Sequence, residues 1–422
     1  MRPVTRRTIL ALAAAVVVVA VTAAVLALTG EEPAPPPQLS GERSAARLVD
    51  SIGVNVHFNF LDTAYARQVE VIDRLRELGI RHLRDGQPHA GQAIETVMPA
   101  AARQGMRMTL ITDVARDPAP DVEQSVRVLG DRIAAFEAPN ELDLSGDPGW
   151  VGKLTAYMPA LDAAVRKLAP GVALLGPSLV ESSSRIELPE NLPGLFNDHP
   201  YPLGEPPEPA LGDGVREARP AEKRKGMYFT ETGYHNAYAA TTGQPPVSEE
   251  AAAVYLPRAL VAAFGAGVRR TFVYELLDEK PDPGLHDPEQ HFGLLRNDLS
   301  PKPAFTAIKT LIAAVRASPG SGSGVLPWAL RAPEDADVQH VVLARRDGSR
   351  AIAIWRPVSV WDTDERRAVD PGSVAIELLW GRTASDVTVW RPSVSEQPVL
   401  RRAQARRLKL DLAGDLVLVS FR

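Results

Sequence analysis

Two acidic side chains in this 422-residue chain stand where buried strands should be giving out. "FEAPNELD", residues 136–143, starts as an apolar strand and finishes on Asn140 and Glu141, and "YFTETGYH", residues 228–235, repeats the pattern with Glu231. Burial penalises an amide and a carboxylate alike unless each has a partner or a task. Two carboxyls converging on one bound molecule have such a task. One donates a proton to a departing oxygen and the other stabilises or attacks the carbon left behind, which is the chemistry of glycosidic bond cleavage. Read singly, each has a plainer meaning: Glu141 as a helix N-terminal acid ahead of "SGDPGWVGKL", Glu231 as a loop acid before Gly233. The pair acquires chemical meaning only if the fold brings both to one end of one sheet.

The elements that could do so are legible. Eight short apolar runs, residues 52–58, 80–86, 106–113, 132–141, 172–178, 195–201, 227–233 and 270–278, alternate with helical patterns. One helical pattern is "YARQVEVIDRLRELG", where Val69, Ile72, Leu75 and Leu78 recur at three or four residues; "EEAAAVYLPRALVAAFGAG" and "KPAFTAIKTLIAAVRAS" are others. Repeated βα units predict a parallel sheet. Eight of them over residues 50–317 predict a (β/α)8 TIM barrel, which takes about 250 residues, with a doubly wound open sheet as the structural rival. The sixth unit, "LGEPPEPALGDGVREARPAEKRKG", reads as a long loop with a fragmentary helix. After the Gly/Ser stretch in "SPGSGSGVLP" the pattern becomes strands and turns, with Asp347-Gly348 as a hairpin signal, and predicts a C-terminal all-β sandwich. The expected organisation is a signal peptide or membrane anchor over 1–30, a Pro-rich linker over 31–40, the barrel over 41–318 and the β-sandwich over 325–422.

Composition bounds the function classes. An apolar content of 45 % suffices for a large core. The net charge of −5 gives no support to a nucleic-acid partner, and the run Arg401, Arg402, Arg406 and Arg407 lacks aromatic interleaving, so it reads as a solvated strand face. There is no cysteine, which removes thiol nucleophiles, disulfides and cysteine-based zinc sites. Arg2, Arg6 and Arg7 precede an uncharged run from Thr8 to Gly30, long enough to cross a bilayer at about 20 residues per crossing. That length, and the poor small-x-small site at Val25-Leu26-Ala27, favour an uncleaved anchor over a removed signal. "TRRTIL" also resembles a twin-arginine export signal, departing from it at Ile9. The expected location is the outer face of the cytoplasmic membrane in the cell envelope, or the exterior if the segment is cleaved.

A barrel of this kind gathers its site at the carboxyl ends of the strands. Those ends carry His57 and Asn59, Arg84 and Asp85, Asn140 and Glu141, His199 and Tyr201, Glu231 and Tyr234, Glu275 and Asp278. With those residues in place, "FEAPNELD" followed by "YFTETGYH" resembles the paired motifs of the retaining glycoside hydrolases of clan A, families 5 and 39 among them. "YELLDE" to "HFGLLRNDLSPKPAF" is similar to the strand-eight region and last helix of family 39-like barrels. The resemblance covers residues 50–317. It implies Glu141 as general acid/base, Glu231 as nucleophile, Asn140 on the sugar 2-hydroxyl, and Arg84 on the nucleophile's carboxylate. His199 and Tyr201 match a His-x-Tyr on strand six, and Tyr201 or Tyr234 would orient Glu231; His57 and Glu275 complete the expected substrate-binding set. Two departures are Leu142, where many members have proline, and Tyr274-Glu275, where many have a tryptophan platform.

The pair also has a physical reading. A neighbouring negative carboxylate and partial burial disfavour charge on Glu141, while Arg84 keeps Glu231 ionised. The expected reaction is retaining hydrolysis of a β-linked oligo- or polysaccharide, with a gap of about 5–5.5 Å between the carboxyls rather than above about 6.5 Å. It requires no cofactor or metal. The rivals are a catalytically inactive glycan-binding barrel and a structural envelope protein. Glu137 reads as a bonded structural acid, the five tryptophans after residue 325 as core, and "HDPEQH", with His286 and His291, as a solvated loop. No G-x-S-x-G, Walker, H-E-x-x-H or Rossmann motif is present.

Overall fold

The computed structural model describes residues 42–180, 182–318 and 326–422. The uncharged run 8–30, the spacer 31–40 and most of the Gly/Ser stretch lie outside the described residues. Among the described residues no helix is long and apolar enough to cross a membrane.

Eight parallel strands form one sheet: β1 (Ile52–Asn55), β2 (His82–Gly86), β3 (Arg107–Ile111), β4 (Ile133–Glu137), β5 (Ala173–Leu175), β6 (Phe196–Asp198), β7 (Met227–Thr232) and β8 (Val268–Val273). Neighbours in sequence are neighbours in the sheet, β1 pairs with β8, and a parallel bridge from Leu175 to Leu195 joins β5 to β6. The sheet is therefore a closed barrel, not the open doubly wound alternative. Seven of the eight strands stop earlier than their apolar runs, because the residues beyond the ladder, such as 138–141 after β4, turn outward to form the mouth, and only β2 runs to the end of its run at Gly86.

The helices are α1 (Ala45–Asp50), α2 (Gln68–Leu78), α3 (Ile94–Arg103), α4 (Pro118–Leu129), α5 (Trp150–Leu168), α6 (Pro207–Glu217), α7 (Pro220–Lys225), α8 (Glu249–Ala266) and α9 (Pro303–Arg316). Their starts follow local chemistry: Asp117 and Ser248 accept backbone N–H groups at the first turns of α4 and α8, and Gly79 ends α2 in the left-handed region. In α2 the buried stripe is Val71, Leu75 and Leu78, while Val69 is 75 % exposed. Val69 lies about 200° around the helix from Val71, so it cannot share that face. The sixth unit is more regular than its composition predicts, since its prolines fall in the first turns of α6 and α7, where no N–H is needed. The fifth is the irregular one: β5 reaches β6 through a single 3-10 segment, Ser182–Glu187.

The C-terminal β-sandwich holds β9 (Trp328–Arg331), β10 (Gln339–Ala344), β11 (Arg350–Trp355), β12 (Val374–Trp390), β13 (Leu400–Leu412) and β14 (Val417–Phe421). The Asp347-Gly348 signal forms the turn between β10 and β11, with Gly348 at φ 85°. β12 runs through both layers, pairing first with β9 and later with β14, with a register break between Leu379 and Ala384. All five tryptophans after residue 325 are buried. Arg43 and Ser44 add a two-residue parallel strand to the edge at β10.

Arg258 of α8 clasps the sandwich to the barrel. Fully buried, it donates to both oxygens of Glu208 on α6, at 2.9 and 2.6 Å, and to the carbonyls of Val358 and Gly414, at 2.8 and 3.0 Å. Arg258→Ala leaves a buried carboxylate and two carbonyls unpaired, so urea unfolding should show a loss of about 3–5 kcal/mol; a loss within about 0.5 kcal/mol would show that the clasp contributes nothing.

Candidate active site

The barrel interior near its C-terminal end is polar and built around one guanidinium. Arg84 on β2 is 2 % exposed and donates through all five of its N–H bonds. Nε and Nη2 reach the two oxygens of Glu137 at 2.8 Å each, and Nη1 reaches Asn55 Oδ1 at 2.9 Å and Glu231 Oε1 at 2.5 Å. The remaining Nη2 donor reaches Asn140 Oδ1 at 2.7 Å. Glu137, 0 % exposed, also accepts from Asn197 Nδ2 and Thr230 Oγ1, each at 3.0 Å. It is the bonded structural acid its place in β4 suggests.

Glu231 ends β7 with both oxygens occupied, Oε1 by Arg84 and Oε2 by the Tyr201 hydroxyl at 2.6 Å. Burial opposes its charge, but the positive field of His199 and Arg84 and the Tyr201 hydrogen bond outweigh burial and hold the carboxyl below the ordinary range. Glu141 follows β4 in the left-handed conformation, φ 45°, which swings its half-buried side chain back over the mouth. There His199 Nδ1 lies 2.6 Å from Glu141 Oε1 and 3.7 Å from Glu231 Oε2. The other ring nitrogen of His199 is 2.9 Å from Thr230 Oγ1. Burial works against a charged His199, but Glu231 and the bond to Glu141 raise its pKa above the ordinary value. Oxygens of Glu141 and Glu231 and a nitrogen of His199 all lie within 4.8 Å of one another.

Residues far apart in the chain, Arg84, Asn140, Glu141, His199, Tyr201 and Glu231, are therefore in one hydrogen-bonded set. Three expected members, Tyr234, Glu275 and His57, are not. Tyr234 turns away from Glu231: its ring is buried against Tyr255 at 5.3 Å and its hydroxyl donates to the Glu205 carbonyl at 2.8 Å. One residue past Gly233, which follows the strand, its side chain falls outside the barrel. Glu275 is fully buried and faces no ligand space. Its Oε2 accepts from Tyr65 at 2.8 Å and lies 3.3 Å from His57 Nδ1. It is a support behind His57, whose Nδ1 also meets Glu279 Oε1 at 2.7 Å and whose side chain is 22 % exposed.

Glu279 was not among the expected site residues; its signal is its place directly after Asp278, in the segment leaving β8. Asp278 itself is bound by Lys302 at 2.8 Å. His291 is buried, with Nε2 3.1 Å from Asp282 Oδ2, so only the His286 end of "HDPEQH" is solvated. Among the described residues, His57/Glu275/Glu279 and Glu141/His199/Glu231 are the clusters with metal-ligand spacing. In each, an imidazole nitrogen and a carboxylate oxygen stand at hydrogen-bond distance, and a shared proton accounts for the contact.

Tyr201→Phe deletes a bond that favours ionised Glu231, so the acid limb of any pH–rate profile should move to higher pH; an unmoved limb would separate Tyr201 from that carboxylate. Burial pushes Glu275 from 4.5 up to about 7, against the pull of His57. A carboxyl whose folded value is raised stabilises the fold while protonated, and that contribution is lost as pH climbs from about 4.5 through about 7. Glu275→Gln should therefore flatten the fall in melting temperature over that window, and an unchanged slope would count against it.

No protein-family model matches the sequence, and no curated protein matches it. Solved structures do match in fold. A family 39 glycoside hydrolase from the gut symbiont Bacteroides cellulosilyticus WH2 aligns over 90 % of this chain and 82 % of its own, with a TM-score of 0.62 at 14 % identity. The GH39 enzyme from Xanthomonas axonopodis pv. citri aligns over 93 % and 98 %, at 0.56 and 16 %. A monomeric beta-xylosidase from Caulobacter crescentus CB15 aligns over 91 % and 97 %, at 0.53 and 15 %. At such identities the likeness is one of fold: this chain carries the barrel and β-sandwich architecture of family 39 glycoside hydrolases.

Proposed function

We propose that the chain is a retaining β-glycosidase acting on an oligo- or polysaccharide by double displacement. The observation that carries this reading is the approach of Glu141 and Glu231 oxygens to within 4.8 Å, which supports a covalent route over an inverting pair, whose carboxyls stand further apart. The shared architecture with family 39 enzymes, a β-xylosidase among the neighbours, supports the same class of reaction.

In this mechanism Glu231, kept ionised by Arg84, His199 and Tyr201, attacks the anomeric carbon as the glycosidic oxygen departs with a proton from Glu141. Glu141, now a carboxylate, takes a proton from water, whose oxygen displaces Glu231 and releases the sugar with its configuration retained. His199, bonded to Glu141 on one side and Thr230 on the other, fixes where that proton is held. Arg84 takes the Asn140 oxygen, which leaves the amide nitrogen as a donor for the sugar 2-hydroxyl. His57, held by Glu275 and Glu279, is the partly exposed donor on the far side of the mouth. The uncharged run 8–30 supports an anchored position at the outer face of the cytoplasmic membrane, or a secreted one if the run is removed.

Hydrolysis of a panel of aryl β-glycosides and oligosaccharides should fall by about 10²–10⁴-fold in Glu141→Gln and at least as far in Glu231→Gln. A 2-fluoro glycoside should leave a mass adduct on Glu231. Equal turnover in wild type and both variants would overturn the reading. Oligosaccharide binding without turnover or adduct would establish the inactive glycan-binding barrel instead.

A further inference from the structure

The end of the barrel opposite the mouth is cationic beyond what its helices require. Helix C-termini favour basic residues through the helix dipole, and α3 and α4 carry Arg103 and Arg127 in their last turns. Strand starts carry no such demand. Yet Arg81 immediately precedes β2 and Arg269 is the second residue of β8, and they join Lys223, Arg224 and Lys225, which close the last turn of α7 just before β7. All five are exposed, and among the described residues none has an ion-pair partner.

Arg269 and the Lys223–Lys225 run are neighbours. β7 and β8 are adjacent, and the Arg269 side chain lies against Gly226 so closely that a Cβ there would meet its Nε at 2.1 Å, which sets it beside the Lys223–Lys225 run. Arg81 and Arg316 flank a cleft of about 420 Å³ whose rim is continued by the exposed Arg346 of the β10–β11 turn. The acids bordering this cleft are already taken: Asp50 by His82 and Arg270, Asp347 by Ser349. Uncompensated like charges at contact range destabilise a fold unless a counter-charge arrives.

The route of the chain indicates which anion. The cleft is lined by Ala45, Ala46 and Val49 of α1, and Glu42 and Arg43 enter beside it, Arg43 donating to the Gly265 carbonyl at 2.7 Å. The chain upstream of Glu42 therefore leaves from the cationic end. Its uncharged run 8–30 is separated from Glu42 by residues that span at most about 40 Å when fully stretched. We propose that the cationic end of the barrel docks on the anionic headgroup layer of a lipid bilayer, which turns the mouth with Glu141 and Glu231 away from the membrane. The inference stands on surface charge and chain path, and its test reads neither turnover nor adduct formation, so it is separable from the glycosidase reading.

Amine footprinting by mass spectrometry tests it, because lysines mark both ends. Lys223 and Lys225 lie at the cationic end, whereas Lys153 at the start of α5 and Lys280 after β8 flank the mouth. The full-length protein would be incorporated in phosphatidylcholine bilayers with or without about 30 % phosphatidylglycerol. With anionic lipid, Lys223 and Lys225 should acylate at least about five-fold more slowly, the effect of one headgroup-paired cation, while Lys153 and Lys280 are unchanged. About 0.5 M salt should abolish the difference. Arg269→Glu with Arg346→Glu, and separately Arg81→Glu with Arg224→Glu, should remove it too, each checked for an unchanged melting temperature. Equal acylation on both bilayers would overturn the proposal. So would protection of Lys153 and Lys280 instead, or protection by soluble heparin but not by the anionic bilayer.

Discussion

The site depends on a single buried guanidinium. Arg84 holds two carboxylates, Glu137 and Glu231, and two side-chain amides, and no N–H of it is left over. Taking an arginine out of water is costly, and geometry this complete is what offsets the cost. One positive charge shared between two carboxylates still leaves an excess of negative charge. His199 lies between Glu141 and Glu231, with one ring nitrogen facing both carboxyls, and those carboxyls raise its pKa against the effect of burial. The positions of Asn140 and Glu231 are consequences of this arrangement rather than independent features.

The network ties the barrel together across its interior. Glu137 on β4 is bonded to Arg84 on β2, Asn197 on β6 and Thr230 on β7, while Asn55 on β1 donates to the carbonyls of Thr230 and Val273 at 3.1 and 3.3 Å. A barrel interior is normally filled with branched apolar side chains. Here the mouth half is filled with polar ones whose partners lie on other strands, so shifting any one strand would break bonds to several others. Lower down, Ala135, Leu175 and Tyr228 are in contact. Gly53 belongs to the same logic: the Phe272 ring occupies the place a Cβ would take, at 2.4 Å.

Charge is sorted along the barrel axis. Carboxylates gather at the mouth, where Glu141, Glu231 and Glu279 are matched by imidazoles. Arg81, Lys223, Arg224, Lys225 and Arg269, exposed and without an ion-pair partner among the described residues, lie at the opposite end, beside the path by which the chain enters. A body with this polarity has an orientation in any external field, and an anionic surface would select the one that leaves the mouth free.

How much of this was legible in the sequence follows from the range of each interaction. Apolar period and turn chemistry act over a few residues, so the eight strands, the Asp347-Gly348 hairpin and the tryptophan-rich core of the sandwich could be read directly. The acids Glu141 and Glu231 were recognisable because each follows an apolar run with a residue that burial alone would exclude. Long-range contacts leave no local mark. Nothing near Tyr234 announces that Tyr201, from another strand, would take the place on Glu231, and nothing near Glu275 says that Tyr65 and His57 would enclose it. Sequence by itself determined which side chains could do chemistry and which strands would carry them. Only closure of the barrel decided which of those side chains meet, because their separations depend on strand pairings between residues as distant in the chain as Ile52 and Thr271.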